Sequence, residues 1–492
     1  MRGGRRQRAV IIGGGLGGLA LALRLAARGM AVTVCERSGR LGGKMNRLER
    51  DGFSFDTGPS LITMPHVFEG LFASVGETLS DHLELMPVRP LAEYVYPDGT
   101  RFAHGGALPD WIDTLRRLEP RDVDGFFRYV RLGARMFALS ESTFLRRPLG
   151  APPDRAALAA MARMPWRHAW GNYARAVGAH FKSPYLVQLY NRYPTYVGSS
   201  PYEAPAMLAV IPYLEYAFGG WHVSGGLYRI VEALTALGAA RGVTFRTDAE
   251  VTRIRVANGR VAGVGLAGGE ELDADVCVMN GDPSMAPALL GGAAGSTLRP
   301  RDRSLSGLVF LVGLNRRVEG WGHHTVFFSE DYPREFGSLF RERRFPEDPT
   351  VYVNMPTRSD PRLAPPGCET LFIMANAPPD AEEAWDAAAT AKAREQVFAR
   401  LRAGGFPDLD DAAVEEVWTP GDFAERYAMP GGAIYGAHSH GWRRAFFRPP
   451  NKDRRVEGLY YTGGGSHPGG GTPTVLISAR ITSELILRHE TS

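Results

Sequence analysis

Three glycines with the spacing G-x-G-x-x-G, Gly13, Gly15 and Gly18, lie between a short apolar run and a stretch of strong helix formers. Gly13 permits a tight turn, Gly15 lets the backbone approach a pyrophosphate, and Gly18 lets a helix and a strand pack closely. The phosphates of a dinucleotide would then meet the free N–H groups at the helix N-terminus. Because such a turn alone also occurs in other α/β domains, the prediction depends on the flanking elements.

Those elements follow in the expected order. The pattern predicts a strand over residues 9–12, a helix over 19–28 that stops at Gly29, and a second strand that ends on Glu36. A carboxylate at this strand end can accept hydrogen bonds from ribose hydroxyls and would repel a 2′-phosphate. The stretch therefore predicts a dinucleotide site and argues against NADP.

A second glycine-rich stretch lies near the end of the sequence. Residues 463–473 carry two glycine triplets around the pair His467-Pro468, and a helical pattern follows in which Ile477, Ile481 and Leu485 share one face. This arrangement predicts close approach of the backbone to a ligand. It also aims a helix N-terminus at that ligand, which would stabilise negative charge.

The turn at residues 41–44 indicates which dinucleotide is bound. A Gly-Gly-basic turn, here Gly43-Lys44, directly after an acidic strand end is a feature of flavoproteins rather than of nicotinamide enzymes. Together with the turn at residues 55–59, it resembles the FAD signature of the amine oxidase and phytoene desaturase superfamily. The expected FAD contacts are Gly13, Gly15, Gly18, Glu36, Arg37, Gly43, Lys44, Gly58, Pro59, Val251, Gly464, Gly465, Gly471, Thr472 and Pro473.

The resemblance to the bacterial phytoene desaturase family of carotenoid desaturases extends over nearly the whole chain. It rests on residues 13–44, 55–59, 221–233, 360–367 and 463–473, of which the His-Pro-Gly-Gly-Gly motif is the most specific. Residues 192–202 are more similar to the hydroxycarotenoid 3,4-desaturases. The resemblance implies removal of a hydride to FAD and of a proton from the neighbouring carbon, which adds a double bond to an acyclic carotenoid, with or without a hydroxyl group.

A long polyene has almost no polar groups, so its site should be an apolar tunnel. The most aromatic segment, residues 185–221, suits such a wall, and Tyr193, Tyr196, Trp221 and His467 are the candidate substrate contacts. Glu215 is the candidate proton acceptor, since burial among tyrosines would raise its pKa. A structural carboxylate paired with an arginine is the alternative. His222 is a further candidate, with a hydrogen-bonded core histidine as the default.

Composition and motif order predict an α/β fold. A Rossmann-like two-dinucleotide-binding FAD domain should combine with a mixed α+β substrate domain and a helical, membrane-associating part. Residues 1–106, 225–300 and 450–492 are assigned to the FAD domain, and 107–224 and 301–449 to the substrate domain. A net charge of +4 over 492 residues is too small to indicate a nucleic-acid partner. The three cysteines are widely spaced, so neither a disulfide framework nor a metal site is expected.

No apolar run reaches the roughly 18 residues of a spanning helix. Aromatic and basic residues alternate over 161–181, as in a helix at a bilayer interface, although an ordinary amphipathic helix has the same pattern. With a polyene substrate, peripheral association with the inner face of the cell membrane in the cytoplasm is expected.

Three other functions compete on this fold. A carotene isomerase or a terminal-methyl carotenoid oxidase would use the same FAD, and a non-catalytic prenyl-lipid carrier would be expected to have a degraded flavin signature. Oxygen or a quinone is the expected electron acceptor.

Overall fold

The computed structural model describes residues 6–163, 171–379 and 385–490. The strands are β1 Arg8–Ile12, β2 Ala31–Cys35, β3 Arg47–Arg50, β4 Phe53–Asp56, β5 Leu85–Pro87, β6 Ala92–Val95, β7 Arg101–His104, β8 Trp221–Val223, β9 Thr244–Arg246, β10 Val251–Ala257, β11 Arg260–Leu266, β12 Glu271–Asp273, β13 Val276–Met279, β14 Ser306–Leu314, β15 His324–Phe327, β16 Val351–Asn354, β17 Glu369–Ala377, β18 Val414–Trp418 and β19 Leu459–Tyr461.

The helices of these ranges are α1 Leu16–Ala26, α2 Pro65–Ala73, α3 Leu108–Leu118, α4 Asp122–Ser142, α5 Arg155–Ala162, α6 Tyr173–His180, α7 Pro184–Asn191, α8 Val210–Phe218, α9 Tyr228–Ala240, α10 Ala286–Leu289, α11 Tyr332–Gly337, α12 Ala387–Ala403, α13 Pro420–Tyr427, α14 Gly441–Phe446 and α15 Thr472–Glu490.

A five-stranded parallel sheet in the order β19-β13-β1-β2-β9 forms the first layer. Its strands are short and β-branched, and β13 is buried along its whole length, as expected for a parallel sheet covered on both faces. From β1, the chain adds β2 and β9 on one side and later β13 and β19 on the other. The order of the strands therefore reverses between β1 and β13, and open α/β sheets bind their ligands at such a switch point.

Helix α1 covers one face of this sheet. It begins at Leu16, three residues earlier than expected, and ends at Ala26. All its side chains are buried except Arg24, because α1 lies between the sheet and α15 and shares one apolar core with Leu476 and Ala479 of that last helix. Residues from the two ends of the chain thus pack together.

The second large sheet has seven strands in the order β18-β14-β17-β16-β15-β6-β7. Its neighbours are antiparallel except for β15 and β6. Strands β6 and β7 fall within residues 1–106, which the sequence assigned to the FAD domain. They pair instead with the sheet of the substrate domain, because β6 continues the hydrogen-bonding edge of β15.

Helices α3, α4 and α6 to α8 share one hydrophobic core with strands β6, β7 and β15 of this sheet. Their core is aromatic, with Tyr129, Tyr173 and Tyr190 fully buried and joined through hydroxyl hydrogen bonds. Part of the expected interfacial helix, including Trp166 and Trp170, lies outside the described residues. Within the described ranges, no helix is both long and apolar enough to cross a bilayer.

Helix α12 begins at Ala387, where the Asp386 side chain accepts a hydrogen bond from the backbone N–H of Ala389. An aspartate at this position satisfies an N–H that has no partner within the helix.

Candidate functional site

Four strands of the parallel sheet end at one place. Gly13 follows β1, Glu36 follows β2, Asn280 follows β13, and the first glycine triplet begins at Gly463, two residues after β19. Because parallel strands bring their carboxyl ends to the same edge, residues far apart in sequence meet there. This edge is the start of the candidate site.

The glycine turn leaves no room for side chains. A Cβ on Gly15 would lie 3.2 Å from Nδ2 of Asn280, and one on Gly17 would lie 2.7 Å from its Oδ1. A Cβ on Gly18 would lie 2.4 Å from the carbonyl oxygen of Gly13. Asn280 Nδ2 donates to that same oxygen at 3.0 Å and fixes the turn to the neighbouring strand.

Glu36 is buried at the end of β2. One carboxylate oxygen accepts a hydrogen bond from the backbone N–H of Gly14 at 2.8 Å, and the other accepts from the backbone N–H and hydroxyl of Ser38, each at 2.9 Å. These bonds fix the carboxylate beside the glycine turn, where it lines the cavity described next.

A cavity of about 830 Å³ extends from this edge of the parallel sheet to the seven-stranded sheet. Most of the expected cofactor contacts line it: Gly13, Gly15, Glu36, Arg37, Gly43, Lys44, Gly58, Pro59, Val251, Gly464, Gly465, Gly471, Thr472 and Pro473. Gly18 lies behind the turn, in the close contact of α1 with β1. The N-terminus of α15, from Thr472, faces the same cavity.

Buried charges lie in the middle of the cavity wall. Lys44 Nζ donates to the carbonyl oxygen of Ile434 at 2.6 Å, and burial lowers the pKa of Lys44 to about 8, against the opposing effect of Asp282. Burial also lowers the pKa of Arg448 to about 10. Two cations with one carboxylate make this part of the wall electropositive, which suits an anionic ligand.

A flavin dinucleotide fits this construction. The glycines leave bare backbone where phosphates must approach, and α1 begins without a capping side chain or an acidic residue in its first turn. A Cβ on Gly58 would lie 1.8 Å from the Lys44 carbonyl oxygen. The turn at residues 41–44 and the turn at 55–59, both expected to contact the flavin, are therefore packed directly against each other.

The far part of the cavity is apolar, with one buried polar cluster. Its apolar wall includes Phe137 of α4 and Ile211 and Leu214 of α8. Glu215 also lines it. Its Oε2 accepts from the Tyr193 hydroxyl at 2.6 Å, and its buried Oε1 has no hydrogen-bond partner among the described residues.

Burial raises the pKa of Glu215, while the Tyr193 hydrogen bond and the charge of Arg192 lower it. Arg192 donates from Nη1 to the Tyr94 hydroxyl and from Nη2 to the Tyr196 hydroxyl, each at 3.0 Å. These two hydrogen bonds of Arg192 go to tyrosine hydroxyls and not to Glu215. The neighbouring arginine therefore acts on Glu215 through its charge.

Three expected substrate contacts lie elsewhere than in the cavity wall. Tyr193 is fully buried behind Glu215. Trp221 lies in β8, where it donates from Nε1 to the carbonyl oxygen of Phe218 at 2.7 Å and faces a separate cavity of about 580 Å³. His467 is buried behind Phe144, with its Nε2 2.9 Å from the carbonyl oxygen of Arg147. His222 is likewise buried outside the wall. Of the four expected substrate contacts, only Tyr196 lines the main cavity.

Sequence reasoning missed several lining residues. Asn280 follows a fully buried strand, a position that could have identified it. Arg192 lies in the motif used for the subfamily resemblance, yet it was not considered as a site residue. His324 and Tyr352 come from two strands of the other sheet, and Ser60 directly follows Pro59. The doublet His323-His324 was the only local signal for this group.

Comparison with known proteins gives consistent matches. The family model described as flavin containing amine oxidoreductase matches residues 16–487. A hydroxyneurosporene desaturase of Rubrivivax gelatinosus is 36% identical, covering 99% of this chain and 94% of its own. A 4,4′-diapolycopene oxygenase of Methylomonas sp is 34% identical and covers 99% of both chains. A triple mutant of putrescine oxidase has the same fold, with a TM-score of 0.65, 13% identity and 99% coverage of both chains.

These matches confirm the expected fold class, the flavin cofactor and the resemblance to carotenoid desaturases. The glycine cradle at the ends of four parallel strands is consistent with them. The chain belongs to the flavin containing amine oxidoreductase family, among its carotenoid desaturases, and is an FAD-dependent oxidoreductase.

Proposed function

We propose that the protein introduces double bonds into an acyclic carotenoid, with or without a hydroxyl group. The observation that supports this most is the single cavity that joins the dinucleotide cradle to an apolar chamber. An elongated hydrocarbon can lie against Phe137, Ile211 and Leu214 with one segment beside the flavin turns. The relatives' names, which include a hydroxyneurosporene desaturase, favour the same substrate class.

Bound FAD supplies the acceptor for a hydride from an allylic carbon. The chain's own residues bind the polyene, exclude water and take up the proton from the neighbouring carbon. Glu215 is suited to that last role, because it lines the chamber, its Oε1 has no hydrogen-bond partner among the described residues, and burial raises its pKa. Tyr193 positions the carboxylate through its hydrogen bond.

Terminal oxidation of the carotenoid is the second candidate, and the 4,4′-diapolycopene oxygenase supports it. Both reactions fit one cavity, and their products distinguish them. A carotene isomerase would leave the flavin oxidised. A non-catalytic prenyl-lipid carrier is disfavoured, because the flavin cradle has all its glycines and Glu36.

The decisive experiment is an anaerobic absorption spectrum of the purified flavoprotein mixed with liposomes that carry one acyclic carotenoid at a time. Loss of flavin absorbance together with a red-shifted polyene is expected. An oxygenated product formed only in air would favour terminal oxidation instead. Conversion with the flavin still oxidised would indicate isomerisation, and protein without flavin would support the carrier. Reoxidation with oxygen or with a quinone then identifies the electron acceptor.

We also propose peripheral binding to a membrane surface through helices α3 to α5. Leu108, Phe127, Leu158 and Met161 of these helices are 40–53% exposed. Helix α4 also supplies Phe137 to the cavity wall, so the same helix connects this exposed apolar surface with the substrate chamber.

Sedimentation with liposomes at low salt tests this surface. The double change Phe127→Glu and Leu158→Glu should release the protein from the vesicles. Val256→Glu, at an exposed position in β10, is the matched control and should sediment like the unchanged chain. Equal sedimentation of both variants would contradict the assignment.

A further inference from the structure

Three buried histidines form a row beside the substrate chamber. The ring centroids of His222 and His323 are 5.3 Å apart, and those of His323 and His324 are 4.4 Å apart. All three side chains are at least nine-tenths buried. Over the described ranges, no group of histidine, cysteine and carboxylate side chains is arranged to hold a metal ion. The row therefore calls for another explanation than metal binding.

The inner end of the row opens into the chamber. His324, Tyr352 and Ser60 all line the cavity. The Tyr352 hydroxyl lies 2.6 Å from the Ser60 hydroxyl and 2.6 Å from Nδ1 of His324. Ser60 directly follows the Gly58-Pro59 turn expected to contact the flavin. A continuous hydrogen-bonded path thus begins beside that turn.

The contacts also assign the tautomer of His324. The Asn354 side-chain NH₂ donates to the carbonyl oxygen of His323 and lies 3.2 Å from Nδ1 of His324. An amide NH₂ can only donate, so Nδ1 of His324 is an acceptor and the ring proton lies on Nε2. This ring accepts on the chamber side and donates on the far side, which is the polarity that proton transfer needs.

The outer end reaches the surface through His323. Its Nδ1 lies 2.6 Å from the hydroxyl of Ser359, which is only partly buried. The Nε2 atoms of His323 and His324 are buried and have no hydrogen-bond partner among the described residues. The two ring centroids are 4.4 Å apart, so these two nitrogens are the groups through which a proton can pass from one ring to the other.

Burial keeps the rings neutral and so able to accept a proton. It lowers the pKa of His323 to about 3, with the proximity of His222 as a second cause, and that of His222 to about 4, against the charge of Asp360. Burial lowers the pKa of His324 as well, and the charge of Arg192 adds to the effect. Because the protonated form of each ring is disfavoured, a proton that enters this path would move on and would not stay on a histidine.

We propose that His324 and His323 form a relay that carries the proton released by the substrate from the chamber to solvent. Tyr352 and Ser60 connect the relay to the chamber, and Ser359 connects it to the surface. The proposal rests on the proposed desaturation. There, one C–H bond would give its hydrogen and both electrons as hydride to FAD, and the neighbouring C–H bond would leave its electron pair in the new double bond and give its proton to Glu215 in the chamber. The relay returns that proton to water and is itself unchanged.

The first test compares two signals in one anaerobic turnover: loss of flavin absorbance, and proton appearance in weakly buffered solvent that contains a pH indicator. In the unchanged protein the two should coincide. In His323→Gln, where the amide can keep the Ser359 contact but cannot carry a proton, proton appearance should lag by roughly tenfold or more. His82→Gln is the matched control, because His82 contacts Glu77 in the FAD domain away from the chamber. Coincident signals in His323→Gln would overturn the relay.

A second test does not depend on turnover. Nitrogen-15 NMR of the histidine-labelled holoenzyme should show His324 neutral and protonated on Nε2 between pH 6 and 8. Protonation on Nδ1, or a charged ring at pH 7, would overturn the proposed path. If no carotenoid reduces the flavin of the unchanged protein, the proposed function fails, and the NMR spectrum still decides whether the relay geometry exists.

Discussion

The two ends of the cavity are built by different means. At the dinucleotide end, the binding surface is mostly backbone, at a turn formed by Gly13, Gly15 and Gly18, and Glu36 supplies the carboxylate. At the polyene end, side chains from helices α4 and α8 and from the seven-stranded sheet converge, and Arg192 and Glu215 are the charged groups of its polar cluster. The first end recognises a ligand shared by many enzymes. The second must hold a chain with almost no polar groups and still move a proton.

The difference shows what each end tolerates. A cradle of backbone tolerates little added volume, because its neighbours include main-chain atoms that cannot move aside, such as the carbonyl oxygen of Gly13 beside Gly18. A chamber of side chains can repack, so its function depends on the few polar groups within it. Changes at the first end should therefore affect flavin content, and changes at the second should affect turnover with flavin retained.

The largest effect is expected from Gly18→Ala. The new Cβ would lie 2.4 Å from the carbonyl oxygen of Gly13, so the turn or α1 must move, and the purified protein should carry little flavin. Gly70→Ala is the matched control, since a Cβ there has nothing within 4 Å and Gly70 lies in helix α2. That control should keep its flavin and gain up to about 1 kcal/mol of stability. Full flavin occupancy in Gly18→Ala would contradict the backbone cradle.

At the other end, Glu215→Gln should keep its flavin but reduce it more slowly with substrate, by about 10²-fold or more, because the amide cannot take up a proton. Stopped-flow absorbance measures the rate, and the flavin-to-protein ratio checks the fold. Glu69→Gln, on the exposed side of α2, serves as the control. A normal rate would assign Glu215 the structural role instead.

Glu36→Ala should weaken flavin binding by about 1–3 kcal/mol, since a buried carboxylate that accepts three hydrogen bonds is lost together with the contact expected between it and the ribose. Titration of the apoprotein with FAD measures the change, and Glu69→Ala provides the comparison. The rate of flavin reduction in the fully loaded variant should stay near normal. Unchanged flavin retention would remove Glu36 from the site.

The smallest effect is a shift in pH dependence. Tyr193 donates to the carboxylate of Glu215 and so lowers the pKa of that group. Tyr193→Phe should raise it further, and because the base must be ionised, the pH at half-maximal flavin reduction should move up by about one unit. Tyr185→Phe removes a similar bond, to Asp98 at the surface, and should leave the profile in place. A downward shift would contradict the assigned proton acceptor.

The sequence predicted the dinucleotide end well because its signals are local. A strand, a glycine turn, a helix and an acidic strand end occupy fewer than forty consecutive residues. The structure differs in the helix bounds, and β1 begins one residue earlier and β2 ends one residue earlier than predicted. Asn280 was not predicted, because its hydrogen bond to the carbonyl oxygen of Gly13 forms only when β13 lies beside β1. At the dinucleotide end, the pairing of distant strands thus adds one residue to the local glycine motif.

The polyene end was predicted in outline alone. Aromatic density in residues 185–221 indicated a wall, but density does not tell which ring faces the cavity. Tyr193 and Trp221 face away from it, while Tyr352 reaches it from a strand far along the chain. Strand β6 joined the other sheet for the same reason, since its partner β15 lies more than two hundred residues later.

The presence of β1 and β19 in one sheet, and the packing of α1 against α15, have a consequence for how the enzyme matures in the cell. The ribosome makes β1 more than four hundred residues before the glycine triplets and the helix that complete the flavin cradle. Until they arrive, α1 lacks the partner that covers its apolar side. Flavin loading must therefore wait until these residues have been made, and a nascent chain cut short before residue 463 would be left as an aggregation-prone apoprotein.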